Sequence, residues 1–288
     1  MTGQPPRVAI QGEPGCNSAL AAAQWFGHPT LVPCASFAAM FNALGQGQAD
    51  FAMAPVENSL GGLVVDVWEL LVRQRPSILG EMYLQVRHCL ITHPGVPIQK
   101  VRFIYSHEQA LAQCQRYIRS LVWVEPDNVV AVYDTAGAVK MIKARGRREE
   151  AAIATPGAAR LYDMQVLAED IQTDPRNFTR FLLLAARPAP AGSPEEPAGN
   201  GTSTTSVVLT LTDCARQLPQ VLACLLSRAL PVHKVETRKR VGVPWEYWVI
   251  LEFGGHARAP LVAEALQELE GLAAAVQPLG SYPAARRP

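Results

Sequence analysis

Residues 187–204, RPAPAGSPEEPAGNGTST, hold no large apolar side chain and are dominated by Pro, Gly, Ala, Ser and Thr. A stretch of this composition cannot bury enough surface to offset the entropy of ordering it. It therefore reads as a flexible linker. Whatever folds must be built separately from residues 1–186 and 205–288, and 288 residues are enough for two domains.

Charge and cysteine usage narrow the function. The formal net charge is +1, and no basic stripe with interleaved aromatics is present, so a nucleic-acid partner is not expected. Cys16, Cys34, Cys89, Cys114, Cys214 and Cys224 form no CxxC pair. Lone thiols of this kind behave as small buried hydrophobes, which points to reduced cysteines and a cytoplasmic address. No metal-ligand spacing occurs. The start MTGQPPRVAIQGEPG has no apolar signal core. No apolar run approaches the ~18 residues of a membrane span, so a soluble protein with no membrane partner is expected.

Residues 1–186 alternate strands and helices. Val8–Gln11 reads as a strand entering the loop GEPGCNS, and Asn17 or Ser18 caps an Ala-rich helix ending near Phe26. Ser36 caps the next helix. Phe51–Pro55 is a strand followed by a turn, Glu57-Asn58-Ser59-Leu60-Gly61-Gly62, and then by an apolar helix over Val64–Leu71. Ile78–Thr92 is one long extended stretch. Val101–Tyr105 and Val129–Val132 are strands leading into helices opened by Ser106-His107 and by Asp134-Thr135. Ala151–Ala154 precedes the helix PGAARLY, with Pro in its favoured first position.

Four strand-to-helix junctions thus carry small polar residues: Asn17/Ser18, Asn58/Ser59, Ser106/His107 and Asp134/Thr135. Each can be a simple N-cap. In open α/β sheets the same junctions also line the ligand crevice, where free helix amides favour anions. The Glu57–Gly62 turn adds a carboxylate, an amide, a hydroxyl and two glycines that let backbone approach closely.

The segment IQTDPRNFTRFLLLAA, Ile171 to Ala186, passes from a polar turn into a short buried strand. Thr179, Arg180 and Phe181 sit where the two meet. A guanidinium held at a strand end suits a carboxylate or phosphate. On these residues alone, pairing of Arg180 with Asp170 or Asp174 is the alternative. Residues 205–288 read strand, helix, strand, strand, helix, strand: the split-βαβ, ferredoxin-like order of a small α+β domain.

Taken in chain order, VAIQGEPGCNS, APVENSLGG, YSHEQALAQC, DTAGAVKMI, the Thr179-Arg180-Phe181 triplet and Gly280-Ser281-Tyr282-Pro283 resemble the motifs of the prephenate dehydratase family. Arogenate dehydratases are near relatives, and the C-terminal domain resembles an ACT regulatory domain. The resemblance implies two α/β lobes like type 2 periplasmic binding proteins over residues 1–186, the second lobe spanning about 85–171. An ACT domain would follow over 205–288. It implies decarboxylative dehydration of prephenate to phenylpyruvate, water and carbon dioxide, with no cofactor. Arogenate as substrate, or a non-catalytic amino-acid or anion binder, are the competing readings.

That reaction needs anion binding, a hydrogen-bond donor for the departing hydroxyl, and a partly dry cleft. On the resemblance, Arg180 binds a carboxylate and Thr179 donates to the leaving hydroxyl, with Glu57 or His107 behind it as proton source. Ser18, Asn58, Ser59, His107, Thr135 and Asn177 would fix the substrate, and Phe181 would pack against its ring. Departures occur in the first loop, where Cys16-Asn17 replaces the family's Thr-Phe. In the ACT motifs, Arg216-Gln217-Leu218 stands for G-A-L and Glu236-Thr237-Arg238-Lys239 for E-S-R-P. A phenylalanine effector would contact Arg216, Leu218, Glu236, Thr237 and Arg238. Homodimers or homotetramers are implied.

Overall fold

The computed structural model describes residues 4–186, 203–239 and 243–288. Most of the expected linker, residues 187–202, lies outside the described residues. The chain begins β1 (Arg7–Gln11), α1 (Asn17–Phe26), β2 (Thr30–Cys34), α2 (Phe37–Gly45), β3 (Phe51–Asn58), β4 (Gly62–Leu63), α3 (Val65–Gln74) and β5 (Ser77–Gln85). It continues β6 (Cys89–Thr92), β7 (Phe103–Ser106), α4 (Glu108–Gln113), α5 (Gln115–Ser120), β8 (Val129–Ala131) and α6 (Thr135–Arg145). Then come β9 (Glu150–Ala154), α7 (Pro156–Leu161), β10 (Gln165–Ala168) and β11 (Phe178–Ala185). The last stretch is β12 (Ser203–Leu211), α8 (Cys214–Leu226), β13 (Val232–Lys239), β14 (Tyr247–Gly254), α9 (Pro260–Leu272) and β15 (Ala275–Pro283).

Two compact units emerge. The first comprises residues 1–67 and 82–181 and holds two sheets. One has the order β2-β1-β3-β11-β5, with β4 paired to β3; its β5 and β11 run on into the second unit. The other has the order β10-β6-β9-β7-β8. Crossover helices follow β1, β7 and β8, as parallel pairing requires. The strand cores are mainly apolar: Val8, Ala9 and Ile10 of β1 and Ala151 to Ala154 of β9 have no exposure.

The second unit comprises residues 68–81 and 182–287. Its sheet has the order β13-β14-β12-β15, all antiparallel, with α8 and α9 on one face. Val207, Leu209 and Leu211 point from β12 into this core beside Val221, Leu225, Val262 and Leu269, while the residues between them face the other way. This is the expected βαββαβ plan.

The units differ from the division made at residues 187–204. Residues 68–81, from α3 and the start of β5, group with the C-terminal sheet. Gln277 Nε2 donates to the Val72 carbonyl at 2.8 Å, and the Ala285 amide donates to Glu81 at 3.0 Å. A hydrophobic pattern shows that α3 has an apolar face but not which sheet it covers. Other boundaries shift for local reasons. The Glu57–Asn58 end of the expected turn belongs to β3, because it pairs with Gly62–Leu63 across the β4 hairpin. The expected extended stretch over 78–92 is two strands, β5 and β6. The N-cap of α1 is Cys16, with no side-chain cap hydrogen bond, where Asn17 or Ser18 was expected.

No helix among the described residues is long and apolar enough to cross a membrane. All six cysteines are free. Burial pushes Cys16 and Cys89 up to about 11 and Cys114 up to about 12, so these thiols stay protonated. Leu209, fully buried between sheet and helices, gives a direct test of the second core. Leu209→Ala should cost about 2–5 kcal/mol by guanidinium unfolding.

Candidate active site

The first unit contains a cavity of about 460 Å³, within the size range of small-molecule sites. Three helices present their first turns to it: α1 through Asn17 and Ser18, α4 through His107 and Gln109, and α6 through Asp134 and Thr135. Strands supply Pro55, Asn58, Thr179 and Phe181. No lysine or arginine lines it.

Asn58 organises the chemistry. Its Oδ1 accepts the amides of Leu60 at 3.1 Å and Gly61 at 2.7 Å. That settles the orientation of the side-chain amide, so Nδ2 must donate. It does so to Asn177 Oδ1 at 2.7 Å, Thr179 Oγ at 3.1 Å and the Phe178 carbonyl at 3.2 Å. Thr179 is 9% exposed, and because its oxygen accepts from Asn58, its own proton is left to donate. The glycines after Asn58 meet a geometric need. Gly62 has φ +76°, and a Cβ at Gly61 would collide with the Gln109 amide.

Behind Asn58 the hydrogen bonds continue inward. Asn177, with no exposure, donates from Nδ2 to Gln113 Oε1 at 2.9 Å. The same oxygen accepts from His88 Nε2 at 2.9 Å. The His88 amide is fixed by Gln172 Oε1 at 2.9 Å, and its ring lines the cavity. Burial holds the His88 imidazole below its ordinary value, outweighing the opposing Gln113 bond. His88 and Gln113 both line the cavity and were absent from the residues picked out of the sequence. Gln113 lies within YSHEQALAQC, four residues after Gln109. On a helix, i and i+4 share a face, and that spacing was the available signal.

The expected residues fall into three groups. Ser18, Asn58, His107, Thr135, Thr179 and Phe181 line the cavity. Ser59 and Asn177 do not, yet both position those that do. The Ser59 hydroxyl donates to the Arg176 carbonyl and accepts the Phe178 amide, tying the β3–β4 hairpin to the start of β11. Glu57 and Arg180 are absent from the lining. Arg180, 4% exposed, sits between Thr179 and Phe181, and successive strand residues face opposite sides. Its expected aspartate partners are engaged elsewhere, Asp170 with Arg87 at 2.6 Å and Asp174 with Arg176 at 3.0 Å.

His107 caps α4, its Nδ1 accepting the Gln109 amide at 3.2 Å. A neutral ring so held carries its proton on Nε2. Among the described residues no cluster of three or more His, Cys, Asp or Glu could hold a metal ion.

The family model for prephenate dehydratase matches residues 8–189. This chain belongs to the prephenate dehydratase family. It is 36% identical over 286 residues to an arogenate dehydratase/prephenate dehydratase of Arabidopsis thaliana, covering 96% of this chain and 72% of that protein. The prephenate dehydratase of Arthrobacter aurescens, solved in complex with L-Phe, superposes with a TM-score of 0.83 at 28% identity, covering 98% of this chain and 93% of that one. GqqA, described as a novel type of quorum quenching acylase, superposes with a TM-score of 0.86 at 32% identity, covering 97% of this chain and 98% of that one.

In this prephenate dehydratase family member, His88 makes stability depend on pH in a defined direction. Its folded value lies below the ordinary 6.5, so on acidification through about 6.5 the unfolded chain takes up a proton that the folded chain refuses. Stability is present above that pH and falls below it. His88→Gln keeps a donor for Gln113 without titrating, and should flatten the slope of unfolding free energy between about pH 7 and 5.5.

Proposed function

We propose that the chain catalyses the decarboxylative dehydration of prephenate to phenylpyruvate, carbon dioxide and water. The observation that carries this reading is the Thr179 hydroxyl: it is held by Asn58, left with a proton to donate, and faces a cavity rimmed by three helix starts. As the side-chain-bearing ring carbon loses its carboxylate, the electron pair moves through the ring and expels the hydroxyl opposite. One proton must reach that hydroxyl for it to leave as water.

Thr179 donates the hydrogen bond to the departing oxygen. A threonine hydroxyl is too weak an acid to be the source; His107, in the same cavity, supplies the proton as an imidazolium, taking one from solvent on Nδ1 in place of the Gln109 amide bond and passing on the one at Nε2. Glu57, outside the lining, gives up that role. Carboxylate binding passes from Arg180 to helix amides. α1 is one of these, its first turn meeting the cavity through Cys16, Asn17 and Ser18. Phe181 forms the apolar wall beside the ring.

Arogenate, which carries an ammonium in place of the keto oxygen, is the second reading, favoured by the Arabidopsis relative that carries both names. The C-terminal βαββαβ unit is read as an ACT domain. Its altered motifs are arranged without a ready ligand cradle: Arg216 is exposed, Leu218 packs against the core, and Glu236 pairs with Arg238 at 3.2 Å. Free cysteines support a cytoplasmic address, and homodimers or homotetramers belong to the same reading.

The test is turnover of prephenate and of arogenate side by side, with an acyl amide as a third substrate because of the likeness to GqqA. Prephenate should give phenylpyruvate. Thr179→Ala should lower kcat by about 100–1000-fold with an unchanged melting temperature, and Thr179→Ser should restore most of it. A kcat/KM favouring arogenate moves the assignment to that substrate; near-normal kcat in Thr179→Ala removes the mechanism.

A further inference from the structure

Among the described residues that line the active-site cavity, Asp134 brings the one carboxylate, and no lysine or arginine is there to neutralise it. It stands at the β8–α6 junction and caps α6. Both of its side-chain hydrogen bonds fall on one oxygen: Oδ2 accepts the Gly137 amide at 2.7 Å and the Glu13 amide at 3.3 Å. No hydrogen bond or ion pair among the described residues reaches Oδ1. Asp134 is only 9% exposed, yet Oδ1 is not sealed in by protein and opens on the cavity. Capping needs a single acceptor, which serine or asparagine supplies equally well. The second oxygen of Asp134 is left over.

The surroundings keep that oxygen uncovered. It lies against Gly12, where an added Cβ would come within 3.2 Å of it, and Gly12 stands at φ +97°. Lys140, the first cation of α6, is held by both oxygens of Glu13, at 3.0 and 3.1 Å. Tyr133 also turns its hydroxyl to Glu13, at 3.3 Å. Beyond the same loop, Asn17 opens α1 and lines the cavity, and its Oδ1 is buried with no hydrogen-bond partner. Unlike Asn58, this amide is not pinned. A half-turn about its last torsion presents either its oxygen or its nitrogen to the cavity.

A mostly buried carboxylate with an unmatched oxygen is costly until a donor reaches it, and a cationic donor serves best. The two substrates weighed above differ at one place: arogenate carries an ammonium where prephenate carries a keto oxygen. We propose that Asp134 sets the choice between them, its Oδ1 receiving the side-chain ammonium of the amino acid, with the Asn17 amide oxygen as the second acceptor. This rests on the dehydratase reading and assigns the residue that decides its substrate. A keto oxygen has no proton to give and is repelled by the carboxylate. The atom that admits the amino acid therefore discriminates against the keto acid. Charge acts in the same direction. Each substrate has two carboxylates, and the ammonium halves the net negative charge brought beside Asp134.

The experiment measures kcat/KM for arogenate and for prephenate in the full chain, comparing the unaltered protein with Asp134→Asn and Asp134→Ser. Asparagine and serine are both good helix caps, so both variants should fold, as melting temperatures will check. The arogenate-to-prephenate ratio of kcat/KM should fall at least about ten-fold in each, the loss expected when a hydrogen bond to a charged group is removed. The ratio of affinities should fall likewise when both ligands are titrated calorimetrically into Thr179→Ala, alone and combined with Asp134→Asn. That second readout follows binding without turnover. A smaller change in the ratio, or equal losses for both substrates, overturns the assignment of Asp134 and leaves the dehydratase reading standing. A parent that takes prephenate but neither binds nor turns over arogenate overturns it too. A parent that takes neither overturns the dehydratase reading, and this inference with it.

Discussion

The Asn58 side chain is the constraint on which the candidate site depends. Two backbone amides hold its oxygen, so its nitrogen can only donate, and towards it the Thr179 hydroxyl acts as acceptor. A hydroxyl that accepts at one lone pair has a defined direction left for its proton. The bonds that run on through Asn177 and Gln113 to His88 join segments 119, 64 and 25 residues apart in sequence. Buried polar networks are strong when every member is satisfied and costly when one is lost. The fold therefore brings β3, α4, β11 and the entry to β6 into one register, and the chemistry inherits that precision.

Placing Arg180 behind the strand is consistent with the reaction. The reactive carboxylate loses its charge as carbon dioxide departs. A full cation pressed against it stabilises the charged ground state and raises the barrier. On the proposed assignment, helix amides bind the anion instead, with a partial positive charge of about half an elementary unit at each start that is easier to leave behind. A cavity rimmed by helix starts, with no lysine or arginine in its lining, suits a substrate whose charge must fall during the reaction.

Much of this was legible in the residues, and what was not has identifiable causes. Ser18, Thr135 and His107 stand at strand-to-helix junctions, where capping preferences are strong and local, and all three reach the cavity. Thr179 and Arg180 could be found as a pair, but which of them faces inward depends on strand register, and a one-residue shift reverses every side chain. The same holds for Glu57 beside Asn58. His88 carries no local signal, because its role depends on Gln113 and Gln172 arriving from 25 and 84 residues away. Cys16 illustrates the opposite case. The departure from the family's Thr-Phe was visible, and its consequence, an uncapped α1, needed the geometry.

The Gly280-Ser281-Tyr282-Pro283 segment shows how a motif can mark structure. Tyr282 has no exposure, and its hydroxyl meets Ser206 at 2.7 Å and Glu252 at 3.3 Å, while Ser206 donates to Glu252 at 3.0 Å. Glu252 is itself 1% exposed. A carboxylate inside a sheet is tolerable only when its oxygens are satisfied, so Tyr282 and Ser206 are required by Glu252. The bulge between Ser206 and Val207 lets β15 continue past Gly280 to Pro283, which carries Tyr282 into reach. The segment 68–81, which the family model assigns to the dehydratase part, groups with the C-terminal unit. The boundary between matched sequence and compact unit therefore lies within the chain of contacts that orders α3.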